Sequence, residues 1–315
     1  MNENEIRSPE IDRFIDEVIH GEEGQTTTRW NDARINMAPG LDNWPHGGGT
    51  VSEHVLDCLK IADQLLPIEQ KIRALRNHHL QLDRKRLEQV RFYLEIHDAG
   101  EPGLIEKSAG TKTLQDELDE KYNFFRKLAK APPAVVEKTA PIIFDIFPAN
   151  GRRSLVGRLG KTIDLIDALN SGLSIYEKEL GSSFKYGAEG NFCYRPDVMV
   201  WDINQRALMA VINSAQEFES VNHYLKLNSF QLTGILDAYL LDDQHNERFL
   251  LDLKEIHPKR SASDPEKISQ NAWLAKSYIK SLEGYVHLNN QEISLVTKKP
   301  MIFLKEGQWS RVESA

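Results

Sequence analysis

Over most of the chain between residues 9 and 282, apolar positions recur every three or four residues with polar positions between them. That period places them on one face of successive helices. Pro9 and Glu10, followed by Ile11, Phe14, Ile15, Val18 and Ile19, predict a short amphipathic helix with proline at its start. Gly21 to Gly49 is rich in Gly, Thr, Asn and Pro and reads as one long loop, a length that often carries function. Thr50 and Ser52 can cap a helix running to about Leu66, with Val55, Leu59 and Ala62 on one face and Pro67 ending it. Further helices are expected over about Pro67–His79, Asp83–Ile96, Thr113–Lys130, Pro133–Phe147 and Arg153–Glu179. After a Gly-rich break at Glu179–Arg195, Leu208–Phe218, Phe230–Leu241 and Pro265–Leu282 again show the helical period. Only Tyr285–Val312 alternates apolar and polar, as in a small β hairpin or meander. The pattern predicts a mainly α protein: a helical domain over 1–180, and an accessory region over 181–315 packed on it and ending in the hairpin.

Composition narrows the class. A chain of 315 residues that is 40% hydrophobic and 27% charged, with a mean hydropathy of −0.47, can bury a large core and does not read as disordered. No apolar run approaches the roughly 20 residues that span a bilayer. The acidic, polar Met1–Glu5 lacks the basic and apolar regions of a secretory signal. Two cysteines, Cys58 and Cys193, cannot frame a disulfide scaffold, so a cytoplasmic setting is expected. A net charge of −8 with a pI near 5.7 argues against a dedicated grip on duplex nucleic acid. The basic runs Arg73–Arg76 and Arg84–Arg86 are interleaved with apolar residues and read as solvated helix faces.

The candidate chemistry lies in three fragments. His54 follows Val51-Ser52-Glu53, His97-Asp98 closes Leu94-Glu95-Ile96, and Asp164 and Asp167 sit within Ile163-Asp164-Leu165-Ile166-Asp167. Two imidazoles and two carboxylates make a mixed nitrogen and oxygen set suited to one divalent transition metal. Adjacent His and Asp cannot share one straight helical face, but near a helix end both can reach one ion. A carboxylate such as Asp164 on an apolar helix is costly to bury without a partner. Cys58, one turn after His54, reads as a small buried residue rather than a ligand.

His54, His97-Asp98 and Asp164, in that order, resemble the HD-domain metal-dependent phosphohydrolases. The likeness is greatest to the bacterial 5'-deoxynucleotidase branch, in Ser52-Glu53-His54, His97-Asp98-Ala99-Gly100-Glu101, Asp164 and the upstream Arg29-Trp30. It covers about residues 29 to 180 and implies a helical bundle holding one divalent ion (Mn, Co, Fe, Ni, Zn or Mg) on His54, His97, Asp98 and Asp164. Asp164 is preferred to Asp167 as the last ligand, Asp167 being the second polar position on the same face. The resemblance further implies Asp98 and Glu101 as the catalytic carboxylates. It places substrate contacts at Arg29, Trp30, Glu106, Asp167 and a lysine, Lys107 or Lys112. Trp44-Pro45 competes with Arg29-Trp30 for the upstream position. The chain departs from the branch in a longer stretch between Arg29 and His54, in Ile105-Glu106 where Gly-Asp is usual, and in residues 181–315. Residues 99–163 contain no histidine, so the extra His ligands of the dinuclear relatives have no counterpart and a single-metal site is expected. The implied activity is hydrolysis of nucleoside or deoxynucleoside 5'-monophosphates, with (d)NTP or alarmone hydrolysis as the alternative and a non-catalytic regulatory protein as a third. For the alternative, the C-terminal region can supply homo-oligomer contacts.

Overall fold

A computed structural model of the chain describes residues 8–29, 49–76, 78–104, 112–148, 151–180, 207–240, 265–282, 302–305 and 308–311. These are mainly helical. The helices are α1 (Pro9–Val18), α2 (Glu22–Thr26), α3 (Val51–Leu75), α4 (Arg84–Ile96), α5 (Leu114–Leu128) and α6 (Pro133–Thr139). A 3-10 turn (Ala140–Ile142), α7 (Ile143–Ile146) and α8 (Leu155–Leu180) follow. Then come α9 (207–215), α10 (Glu219–Leu227), α11 (Ser229–Leu240) and α12 (Pro265–Ser281). Two short strands, β1 (Ile302–Lys305) and β2 (Gln308–Arg311), pair antiparallel with Leu304 opposite Trp309. Among the described residues no helix is long and apolar enough to cross a membrane.

Local chemistry sets the helix starts. Ser8 caps α1 by accepting from the Ile11 N–H, with Pro9 at the first position, where its missing N–H costs nothing. Asp83 caps α4 by accepting from the Arg86 N–H at 2.8 Å. Thr113 and Asp116 form a reciprocal capping box on α5. At α8, Ser154 Oγ accepts from the N–H groups of Val156 and Gly157. The buried Asp145 carboxylate in turn accepts from the Ser154 N–H and hydroxyl, both at 2.6 Å.

Four boundaries differ from the sequence expectation. Pro67 does not end its helix: α3 runs from Val51 to Leu75 with the proline inside. Proline cannot donate to the Asp63 carbonyl one turn back, at a cost of about 3 kcal/mol. Burial of Leu65, Leu66, Ile68 and Ile72 continues through it, and packing overrides the local preference. The single helix expected over Pro133–Phe147 is instead broken into α6, a 3-10 turn and α7 at Pro141. The loop expected over Gly21–Gly49 contains α2, which passes so close to the end of α1 that a Cβ on Gly24 would lie 1.8 Å from the Ile19 carbonyl oxygen. The gap left between Phe218 and Phe230 is occupied by α10, which buries Val221, Tyr224 and Leu225.

The described residues form two compact units. The first takes α1, α2, α3 up to Leu66, and Arg73–Asp167; the second takes Pro67–Ile72 and the residues from Ala168 on. In the first unit the core includes Ile11, Ile15 and Ile19, Val51, Val55 and Ile61, Val90, Leu94 and Ile96, and Leu159, Ile163 and Ile166. The second has its own core around Leu208, Val211, Phe218, Leu225, Leu232 and Ile279. It also buries a polar network in which Tyr224 donates to Asn170, Tyr278 to Asn222, and the Ser220 N–H to Glu69.

In the first unit Gly160 lies against Tyr93, where a Cβ would meet Cδ1 at 2.3 Å and Cε1 at 2.6 Å. Tyr93 has no room to retreat, because its ring stacks on His97 with centroids 5.6 Å apart. Gly160→Ala is therefore expected to cost about 1–3 kcal/mol through overpacking, despite the better helix propensity of alanine. A denaturant titration that places the variant at or above the parent would show the contact to be soft.

Candidate metal centre

The first unit brings four ligand-type atoms to one point. His54 enters from the first turn of α3, His97 is the residue that ends α4, Asp98 lies in the following turn, and Asp164 projects from the middle of α8. The end of α4 solves the spacing problem of an adjacent His-Asp pair, because the helical path stops between them. His54 Nε2 is 3.2 Å from His97 Nε2, 3.2 Å from Asp98 Oδ2 and 3.4 Å from Asp164 Oδ1. His97 Nε2 is 3.2 Å from Asp98 Oδ2 and 3.9 Å from Asp164 Oδ1. Ligands at about 2.1 Å from one ion lie about 3.0 to 3.4 Å apart in octahedral or tetrahedral geometry. His54 Nε2, His97 Nε2 and Asp98 Oδ2 match that spacing pairwise, and His54 Nε2, His97 Nε2 and Asp164 Oδ1 lie within reach of one shared ion.

The outer nitrogens fix which face of each ring is turned inward. His97 Nδ1 lies 2.9 Å from the Leu94 carbonyl oxygen, which can only accept, so the proton sits on Nδ1 and the Nε2 lone pair faces the cluster. His54 Nδ1 lies 2.6 Å from Asp167 Oδ2 and is assigned the same tautomer. When neutral, both rings thus present unprotonated Nε2 atoms to a common point, while Asp167 supports His54 from behind. A second triad, His54, Cys58 and Asp167, also comes within coordination range. It lies on the protonated side of His54, and burial pushes the Cys58 thiol up to about 12, so it offers no thiolate.

Positive charge surrounds these carboxylates. Arg29 is buried, with Nη1 3.5 Å from Asp167 Oδ2 and Nη2 4.0 Å from Asp164 Oδ1. Its Nη1 also lies 2.7 Å from His54 Nδ1; a guanidinium can only donate, so this contact favours an unprotonated Nδ1 and competes with Asp167 for that nitrogen. Lys161, one turn before Asp164, pairs with Asp164 Oδ2 and leaves Oδ1 toward the histidines.

Glu101 stands beside the cluster. Its Oε1 accepts from Lys112 at 3.3 Å, and Lys112 also reaches Glu120 at 2.7 Å. Glu101 Oε2 is buried and has no hydrogen-bond partner among the described residues. Burial, and then the negative charge of Asp98, push the Glu101 carboxyl up; Lys112 and Arg29 offset part of this. The backbone around Glu101 is held from both sides. Asn123, buried on α5, donates to the carbonyls of Gly100 at 2.7 Å and Pro102 at 3.1 Å. Lys127 adds a bond to Pro102, and Thr27 Oγ1 accepts from the Gly103 N–H. Asn123, Glu120 and Lys161 were not singled out from sequence. A polar residue on the inner face of an amphipathic helix was the signal for Asn123, and the three-residue spacing from Asp164 was the signal for Lys161.

Of the residues expected at the site, His54, His97, Asp98, Asp164, Asp167, Glu101, Arg29 and Lys112 come together. Trp30, Glu106 and Lys107, with Arg34 and Trp44 of the expected loop, lie outside the described residues.

The electrostatics describe a site that competes for protons. Burial disfavours a charged His97, but Asp98 and Asp164 outweigh it and push the ring up to about 9. His54 is also raised, against burial and Arg29, by Cys58 and then by Asp167 and Asp164. Asp98 and Asp164 are held well below the usual carboxylate range although burial opposes it, Asp98 chiefly by His97 and Asp164 chiefly by Lys161. In metal-free protein a raised His97 contributes stability that is complete below about 6.5 and is lost as pH rises through about 9. An ion requires both rings neutral, so its affinity grows over the same window. Melting temperatures of metal-free protein should fall between those pH values, while the increment produced by added Mn²⁺ should grow. Parallel curves with and without metal would separate the histidines from the ion.

No protein-family model matches the chain. No curated protein matches it in sequence, and no solved structure matches its fold.

Proposed function

We propose that the chain is an HD-type metal-dependent phosphohydrolase acting on nucleotides, with nucleoside or deoxynucleoside 5'-monophosphates as its substrates. The observation that carries this reading is the convergence of His97 Nε2, Asp98 Oδ2 and Asp164 Oδ1 on His54 Nε2, at 3.2, 3.2 and 3.4 Å, beside a buried, unsatisfied Glu101 oxygen. His54, His97, Asp98 and Asp164 would hold one divalent ion. Such an ion supplies Lewis acidity, neutralising phosphate oxygens and lowering the pKa of water. The remaining work falls to the chain. Glu101, raised toward protonation and buried, is suited to give its proton from Oε2 to the departing ester oxygen as the P–O bond breaks. The proton lost by the attacking water balances the one that the alcohol gains, so water and phosphomonoester become alcohol and orthophosphate. Lys112 holds Glu101 Oε1 and fixes which oxygen faces the ester. Arg29 carries the planar fork that pairs with phosphate oxygens.

The test is product identity across a panel of nucleoside mono-, di- and triphosphates with Mn²⁺, Co²⁺ and Mg²⁺. Metal-dependent orthophosphate from the monophosphates is the expected result. Pyrophosphate or triphosphate release would move the reading to a polyphosphate hydrolase, and no product with metal bound would leave a regulatory protein.

A further inference from the structure

We propose that the exposed face of α5 is the self-association surface of this protein, where two copies meet in an antiparallel, two-fold pair of α5 helices. Leu114, Leu118, Tyr122 and Phe125 are 70%, 50%, 72% and 41% exposed, at spacings of four, four and three residues. They form one stripe along α5. The opposite face is committed: Asn123 and Phe124 are buried, and Glu120 binds Lys112. The stripe therefore cannot turn inward without releasing the residues that hold the Glu101 turn. Four large apolar side chains in a continuous row are more than the scattered surface leucine that a monomer tolerates.

Charge identifies the occupant. Apart from Glu120 and Lys127, which are engaged within their own copy, the first half of α5 carries Asp116, Glu117 and Asp119, and the second half Lys121 and Arg126. A second copy running the opposite way sets each half against its complement. The register follows from the stripe: centred near Glu120, Leu118 of one copy faces Tyr122 of the other, and Leu114 faces Phe125. A two-fold axis across the helices keeps each flank against itself. Glu117 and Lys121 share one flank and are both exposed, so Glu117 of each copy meets Lys121 of the other, twice per dimer. On the other flank Gln115 comes opposite Arg126, while Asp119 is engaged by Gln115 of its own helix at 2.8 Å. Lys121 already leans over the Phe147 ring, 5.6 Å from its centroid, and Phe125 lies 5.7 Å from that ring, so the patch extends onto the end of α7. This surface is independent of the phosphohydrolase reading, and its test does not use activity.

Light scattering on a sizing column, over a range of concentrations, reads the association of the full chain. The expected result is a dimer that weakens by about 100-fold in Tyr122→Glu, the loss of a central aromatic anchor, with the melting temperature unchanged at concentrations where both proteins are monomers. Glu117→Lys and Lys121→Glu should each weaken it by about tenfold, since symmetry doubles every change, and the double exchange should restore it. The exchange tests the pairing even if Tyr122→Glu folds poorly. A wild-type monomer at every concentration, a dimer indifferent to Tyr122→Glu, or charge reversals that the double exchange does not repair would each overturn the proposal.

Discussion

Asp98→Ala is expected to leave the protein without metal after dialysis and without measurable turnover. Asp98 Oδ2 lies 3.2 Å from both Nε2 atoms, so its removal takes away an anionic ligand and unbalances the charge that the two imidazoles sit in. Asp167→Asn makes a graded comparison. Asp167 meets the outer nitrogen of His54, at 2.6 Å, and Arg29 Nη1, at 3.5 Å, and loss of such an outer partner costs about 10- to 100-fold in metal affinity. The Asp98 variant should exceed that range. Metal analysis of the two proteins beside the parent gives the ranking, and a weaker site in Asp167→Asn than in Asp98→Ala would exchange their roles.

Glu101→Gln should keep the metal and lose turnover by about 10² to 10⁴-fold, the range for a missing acid-base group. The amide keeps the volume and the Lys112 contact but cannot give up a proton at the same acidity. Because burial raises the Glu101 carboxyl, the parent should lose kcat as pH rises through the carboxyl's shifted value, an ion on Asp98 cancelling the smaller push from that carboxylate. That limb should vanish in the variant while metal content follows the parent. Equal loss of metal from both variants would instead make Glu101 a ligand.

Helices whose buried faces keep strict period were legible from sequence. α4 and α8 fall within about two residues of their expected starts, because Asp83 and Ser154 are good caps and the apolar spacing is regular. Pro67 misled because its cost is local, whereas the burial that overrides it comes from packing partners. α10 was missed although Val221, Tyr224 and Leu225 have helical spacing; its Asn222 and the Asn228 at its end, residue types that favour turns, are buried and bonded to backbone carbonyls. At the site, residue types and chain order pointed to His54, His97, Asp98 and Asp164. Asn123 was not legible, because its importance lies in which two carbonyls come within its reach, and those lie more than twenty residues away in the chain.

Thr28 and Thr50 pair as an isolated antiparallel bridge, with the Arg29 N–H donating to the Gly49 carbonyl at 2.9 Å and the Val51 N–H to the Thr27 carbonyl at 3.0 Å. The two bonds act as a clasp between residues 27–29 and 49–51 that sets Arg29 at a fixed distance from the start of α3, and so from His54. Doubling the length of a closed flexible loop costs only about 0.6 kcal/mol. Sequence spacing between Arg29 and His54 is thereby uncoupled from their separation in space. Insertions or deletions between residues 30 and 48 can change the sequence there without moving the guanidinium or the imidazole, so that this stretch can vary at little risk to the candidate metal centre.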